Sequence, residues 1–175
     1  TGNKVEGNKL TVKGGSVTNA YGGFVVNNKR DASGNPLTTG DADNNTLVLA
    51  KDAANPSAAA PAVTGSAYGA LVKTKAGSAT NNKVDFSAGH VAGSLYGGAL
   101  TATGATGAAT GNTITITGEA TVGGDVYGGY TTGTGATTGN TVNLGDGTEA
   151  GKLITPAGAA TVAGTIYGGS GTATT

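Results

Sequence analysis

Chemistry in this chain would have to come from a short inventory of side chains. There is no cysteine, so no thiolate can attack a substrate, hold a metal or close a disulfide. Histidine occurs once, at His90, in a slot that other copies of the same phrase fill with Thr121 and Thr161. A lone imidazole with no sulfur ligand and no repeated carboxylate partner is poor equipment for metal or acid–base work, so His90 reads as a solvated strand residue. Polysaccharide cleavage would need two or three carboxylates on one face. Asp85, Asp125 and Asp146 sit at different phases of the repeat, and Ser66, Ser94 and Thr165 stand in the slot of Asp125. Gly123-Gly124-Asp125 and Gly145-Asp146-Gly147 carry pieces of the calcium-binding Gly-Gly-x-Gly-x-Asp pattern, but its tandem nine-residue repetition is missing. Asn44-Asn45-Thr46 is a glycosylation sequon by form, at a frequency close to chance in so Thr-rich a chain. Thr113, Thr115 and Thr117 suggest a flat ice-binding array, yet Lys9, Thr11, Val48, Lys83, Asp85 and Asn143 occupy the equivalent positions elsewhere. No catalytic, cofactor-binding or metal-binding residue is expected, and the chain is not expected to be an enzyme.

Binding leaves better candidates. Tyr21, Tyr68, Tyr96, Tyr127 and Tyr167 recur in one phrase and would form a column if successive repeats stack in register. Aromatic stacking that fixes register is the structural expectation. The competing one is a stripe that binds glycan or protein, with Tyr127 as its representative. Lys29, Arg30 and Asp31 form the most charged cluster in a segment that breaks the repeat, and are the other candidate contact residues.

The elements that would position these residues come from a pair of short phrases. The first is an Asn-led aliphatic strand: Asn8-Lys9-Leu10-Thr11-Val12, Asn45-Thr46-Leu47-Val48-Leu49, Asn82-Lys83-Val84-Asp85-Phe86, Asn112-Thr113-Ile114-Thr115-Ile116 and Asn140-Thr141-Val142-Asn143-Leu144. The second ends in Tyr-Gly, usually Tyr-Gly-Gly, with a valine five residues earlier at Val63, Val91, Val122 and Val162 and four earlier at Val17. A fixed period of this kind marks a stacked repeat protein. Alternation at period two argues for half-buried strands, and no stretch shows helical spacing. The Gly-Gly pair suits a corner needing positive φ or close backbone approach, and the leading Asn tolerates the same left-handed geometry. Stacked asparagines could form a side-chain amide ladder.

Spacings between the leading asparagines are 37, 37, 30 and 28 residues. The surplus falls in 27–43, 50–62 and 145–160, which hold all four prolines and are expected to project as loops. One coil cannot bury its own apolar face; stacking coils about 4.8 Å apart pairs every strand edge and lines up the aliphatics.

Composition agrees with a long display surface. Glycine supplies 34 of 175 residues, charged residues 11%, and the net charge is zero, so neither nucleic acid nor an anionic membrane is indicated as a partner. Residues 1–90 carry nine Lys/Arg against six Asp/Glu, and residues 91–175 one against four, a mild charge gradient along the stack. No apolar run approaches the roughly 20 residues that span a membrane as a helix. The chain opens mid-pattern without a signal peptide and reads as a segment of something longer.

With Asn112-Thr113-Ile114-Thr115-Ile116 and Val122-Gly123-Gly124-Asp125-Val126-Tyr127-Gly128-Gly129-Tyr130 together, the chain resembles the repeats of large autotransporter passenger domains, fusobacterial-type outer-membrane adhesins in particular. The resemblance covers most of 1–175 apart from the three insertions. It implies a β-helical passenger on the cell surface, exported through an outer-membrane barrel of which this segment holds no residue. Asn140-Thr141-Val142-Asn143-Leu144-Gly145 also resembles the shorter repeats of trimeric autotransporter heads, whose fold is a left-handed β-roll. The expectation is an all-β chain: a single right-handed parallel β-helix (β-solenoid) over 1–175, with about five coils of 28–37 residues. Its expected role is structural display in an extracellular adhesin that contacts a protein or glycan of host or bacterial cells. Lateral self-association is a further expected contact. A polysaccharide-acting β-helix enzyme and a mechanical stalk spacer are the alternatives.

Overall fold

The computed structural model describes residues 3–27, 32–33, 39–145 and 159–171. Those residues contain strands, turns and bends and no helix. The chain visits three sheets in rotation, and we call one such circuit a pass. The first pass lays down β1 (Asn3–Glu6), β2 (Lys9–Val12), β3 (Ser16–Val17) and β4 (Ala20–Val25). The second supplies β5 (Gly40–Asp43), β6 (Thr46–Leu49), β7 (Ala62–Val63) and β8 (Ala67–Val72). In the third and fourth, β9 (Ala79–Thr80) and β12 (Ala109–Thr110) precede the long strands β10 (Lys83–Val91) and β13 (Thr113–Val122), followed by β11 (Leu95–Leu100) and β14 (Val126–Thr131). The fifth closes with β15 (Thr141–Leu144), β16 (Thr161–Val162) and β17 (Ile166–Ser170).

Every pairing is parallel. One sheet runs β1-β5-β9-β12, a second β2-β6-β10-β13-β15 with the short β3, β7 and β16 alongside, and a third β4-β8-β11-β14-β17. Three parallel sheets with like residues in register are consistent with a β-solenoid, as the repeat predicted. Leu10, Leu47, Val84, Ile114 and Val142 follow one another in register, as do Val12, Leu49, Phe86, Ile116 and Leu144. In the middle passes these side chains are fully buried, and Leu47, Val84, Phe86 and Ile116 pack with Val63, Val91 and Leu95 in one core cluster. Burying each such aliphatic contributes about 1.5–3 kcal/mol. A second cluster gathers Val25, Val72 and Leu100 with the small Ala42, Ala79 and Ala109 of the first sheet.

The leading asparagines form the expected ladder. The Nδ2 of Asn8, Asn45, Asn82 and Asn112 donates to the Oδ1 of the next asparagine at 2.9–3.0 Å. The backbone N–H of each donates to that same Oδ1. A second Nδ2 proton goes back to the preceding pass, onto Val5, Ala42, Ala79 or Ala109 O. Asn45, Asn82 and Asn112 are completely buried, and no buried side-chain polar atom among the described residues lacks a partner. Such amides are tolerated in the interior because every one of their groups is satisfied.

Left-handed geometry falls one residue earlier than expected. The ladder asparagines themselves do not have positive φ; the residues before them do, Gly7, Asn44, Asn81, Gly111 and Gly139, with φ of 54–67°. The turn must be complete before the asparagine so that its side chain can point inward as the first residue of a pleat. Tyr-Gly-Gly is not the corner its glycines suggested: it lies inside β4, β11, β14 and β17, as Tyr-Gly-Ala does inside β8. None of its glycines has positive φ, and what it requires is close approach of the next pass. A Cβ on Gly97 would strike the carbonyl oxygen of Gly128 in the next pass and lie 3.0 Å from Asn112 Cβ.

The insertions are shorter than predicted where they meet the core. Gly40–Asp43, assigned to a loop by its spacing, is β5, with Ala42 buried and Asp41 Oδ1 accepting the Ser78 N–H at 2.8 Å. Likewise Ala62 belongs to β7. Residues 50–61 do connect β6 to β7 without strand structure. They leave at the point where unbroken β10 has a register shift between Phe86 and Ala88, so β10 pairs with both β6 and β7. The segments 13–15 and 145–160 join β2 to β3 and β15 to β16 at the same corner. Residues 26–39 leave from another corner, between β4 and β5.

Candidate functional site

The outer side of the third sheet carries the most unusual surface. In β4, β8, β11, β14 and β17 the residue after the apolar one points outward, and in each it is tyrosine. Consecutive rings lie 4.7–5.2 Å apart between centroids, with interplanar angles of 5–14°. This is the column expected from the sequence. Its geometry bears on what it can bind. Rings stacked along the axis cover one another's faces and offer solvent only their edges and hydroxyls. A sugar ring stacks on a face, and the face left least covered belongs to Tyr167, 37% exposed at the end of the column.

Two more aromatics flank the column, and the sequence reading overlooked both. Phe24 packs at 5.2 Å against Tyr21, is 42% exposed and has Lys73 Nζ 5.8 Å above its ring. Tyr130 lies edge-on to Tyr96 and Tyr127, at 5.5 and 5.0 Å. Both stand three residues after a column tyrosine, in register with Leu71, Ala99 and Ser170. That spacing was legible, but the position is aromatic in only two of five passes.

A second polar ladder runs beside the tyrosines. Asn19 Oδ1 accepts the Ser66 N–H, Ser66 Oγ the Ser94 N–H, Ser94 Oγ the Asp125 N–H, and Asp125 Oδ1 the Thr165 N–H, at 2.8–3.2 Å. What the slot requires is an acceptor oxygen on a short side chain; Asn, Ser and Asp each supply one. Asp125 also accepts a hydrogen bond from the Tyr127 hydroxyl at 2.9 Å. The Thr165 N–H, followed by that phenol, holds the Asp125 carboxyl below the usual carboxylate range. Burial among the rings, reinforced by Asp125, pushes the Tyr127 phenol up to about 12. Burial also raises Tyr68 and Tyr96.

The remaining candidates are dispersed. Of the predicted binding residues, Tyr127 takes its place in the column, whereas Lys29, Arg30 and Asp31 lie outside the described residues. His90 is exposed on the second sheet, with Nδ1 2.8 Å from Thr121 Oγ1. Asp85 pairs with Lys83 at 3.0 Å on the same sheet, away from Asp125. Asp146 lies outside the described residues. Asp43 sits where the first sheet meets the second. Burial pushes its carboxyl up, but hydrogen bonds from Thr80 and Asn81 and the nearby Lys4 ammonium outweigh this and leave it below its ordinary value. Among the described residues no three His, Asp or Glu side chains converge as a metal site would require. Lys13–Asp52 (3.5 Å) and Lys51–Glu119 (3.0 Å) tie the root of the 50–61 loop to the first and fourth passes. Such exposed pairs orient the loop more than they stabilise the fold.

No protein-family model, curated protein or solved structure matches this chain.

Proposed function

We propose that this chain is a right-handed parallel β-helix segment that serves as a display scaffold in a bacterial cell-surface adhesin, carried outside as part of an autotransporter passenger. The handedness is supported by the strong right-handed preference of crossovers between parallel strands of one sheet. A single observation carries the functional reading: what recurs in every pass is taken up by contacts with the neighbouring passes, the outward tyrosines included, since each covers the next ring. The asparagines bond to one another, the glycine after the tyrosine (Gly22, Gly69, Gly97 and Gly128) makes room for the next pass, and the aliphatics fill the core. What varies is the length of the connections from β4 to β5, β6 to β7 and β15 to β16, which changes without disturbing the register of the strands they join. A scaffold that holds variable loops on an invariant stack suits attachment to a protein or glycan on host or neighbouring cells.

The test is adhesion of beads coated with the purified chain to epithelial cells and to bacterial cells. Replacing residues 28–38, which include Lys29, Arg30 and Asp31, by a turn as short as 73–78 should lower adhesion several-fold while leaving the melting temperature in place. Undiminished adhesion would remove that loop as the contact. Failure of the parent chain to adhere to either cell type would leave only the mechanical spacer.

A further inference from the structure

We infer that the tyrosine column carries one-electron oxidation from ring to ring along the third sheet and traps it at Tyr127, whose phenol passes its proton to Asp125. The chain has no cysteine, methionine or tryptophan, so its six tyrosines are its most easily oxidised side chains. All six stand together on one face: Tyr21, Tyr68, Tyr96, Tyr127 and Tyr167 in the column, and Tyr130 edge-on to two of them. Consecutive column rings are 4.7–5.2 Å apart and within 14° of parallel, so their π faces are in contact along the run. An electron lost from one ring can be replaced from its neighbour without crossing solvent or aliphatic core.

What distinguishes Tyr127 is the residue two positions before it. Successive passes fill that slot with Asn19, Ser66, Ser94, Asp125 and Thr165, and of these only Asp125 is a base. The ladder does not need a base there, since Asn19, Ser66 and Ser94 receive the next pass's N–H as Asp125 does. Asp125 Oδ2 lies 2.9 Å from the Tyr127 hydroxyl, within reach of direct proton transfer. Tyr68 and Tyr96 have serine in that place, which cannot hold a phenol's proton. A phenol that loses an electron becomes a strong acid. At Tyr127 its proton crosses to the carboxylate, leaving a neutral tyrosyl radical beside a protonated Asp125 and no net charge among the rings. The oxidant, a one-electron radical of the azide or peroxyl class, gains the electron. A one-electron reductant reverses the step, the proton returning from Asp125 as the radical is reduced.

The experiment exposes the 175-residue chain at neutral pH to a substoichiometric dose of azide radicals from pulse radiolysis, with a nitroso spin trap present. Tandem mass spectrometry then locates the trapped radical. Tyr127 should carry several-fold more adduct than Tyr68 or Tyr96, which are half-buried as it is. Asp125→Asn keeps an acceptor oxygen for the Thr165 N–H and puts the residue type of Asn19 in the slot. Its melting temperature should hold while the excess at Tyr127 disappears. Asp125→Ser, matching Ser66 and Ser94, is the second variant should the first impair folding. Tyr96→Phe keeps a ring in the column, but one much harder to oxidise. Adduct should then build up on Tyr21 and Tyr68 and fall at Tyr127. A parent chain labelled evenly, or an excess at Tyr127 that survives the loss of the Asp125 carboxylate, would overturn the trap. An unchanged distribution in Tyr96→Phe would overturn transfer along the column.

Discussion

Removing one rung from the middle of the asparagine ladder should cost far more than removing the rung at its end. Asn82 is completely buried, and its Oδ1 accepts both the Asn45 N–H and the Asn45 Nδ2–H at 3.0 Å. In Asn82→Ala both donors stay buried and lose their acceptor, and Ala42 O loses a donor that now stands at 3.1 Å. At about 1–3 kcal/mol for each stranded donor, the two together cost about 2–6 kcal/mol, with the Ala42 carbonyl adding to it. Asn8 differs: its Oδ1 has no partner among the described residues, and Asn45 Oδ1 keeps the Asn8 backbone N–H at 3.1 Å after the side chain is cut. Asn8→Ala should therefore cost about 1 kcal/mol or less. Guanidinium unfolding followed by far-ultraviolet circular dichroism measures both, compared at equal m-values. Asn82→Asp adds a control. It keeps an acceptor for Asn45 but sets a carboxylate against Asn112 Oδ1, now 3.0 Å from Nδ2, so it should be destabilised at neutral pH and partly recover in acid. If Asn82→Ala proves no worse than Asn8→Ala, the ladder does not stabilise the stack and the reasoning fails.

Other outcomes follow from particular contacts. Gly97→Ala should lower the melting temperature, at a cost of about 1–3 kcal/mol, because its Cβ meets the next pass; Gly168→Ala, with nothing within 4 Å, should be close to neutral. Phe86→Ala empties the largest fully buried site and should cost about 3–5 kcal/mol by the same measurement. Near-ultraviolet titration, with Tyr127→Phe subtracted, should show the Tyr127 phenol ionising near pH 12, and Asp125→Asn should lower that midpoint. Since this folded-state pKa lies above the ordinary value of 10.0, the stability it contributes is full below pH 10 and is lost as the pH rises towards 12. Asp43 works in the opposite sense. Its lowered pKa contributes stability above pH 3.8 that disappears as the pH falls further, so Asp43→Asn should flatten the acid limb of the stability curve.

How much of this was legible depended on whether a position's requirement was written in residue type. The ladder and the tyrosine column were, because the short primary amide of asparagine donates and accepts along an axis, and stacked rings account for a tyrosine in every pass. The first sheet was not. Gly40–Asp43, Ala79–Thr80 and Ala109–Thr110 are too short and too poor in aliphatics to show alternation, and their packing partner is alanine. They are strands because the passes beside them leave backbone groups to be paired. The acceptor ladder through Asn19, Ser66, Ser94 and Asp125 was hidden for a different reason: its rule concerns one oxygen, which several residue types carry. Left-handed geometry was read one position late, since asparagine tolerates it and stood conspicuously at the strand start. In the second pass that role falls to Asn44, and in the third to Asn81.

The directional asparagine ladder has an electrical consequence. Backbone hydrogen bonds in a parallel sheet alternate in sense and largely cancel, but the side-chain amides from Asn8 to Asn140 all point one way. Their dipoles therefore add, negative at the Asn8 oxygen and positive at the Asn140 nitrogen, and each polarises the next in a dry interior. Nine of the chain's ten lysines and arginines fall in residues 1–90, and residues 91–175 are net acidic. Among the described residues the first pass carries Lys4, Lys9 and Lys13 against Glu6, while the fourth carries Glu119 and Asp125 and no Lys or Arg. Helices place cations at their C-termini and anions at their N-termini in the same sense.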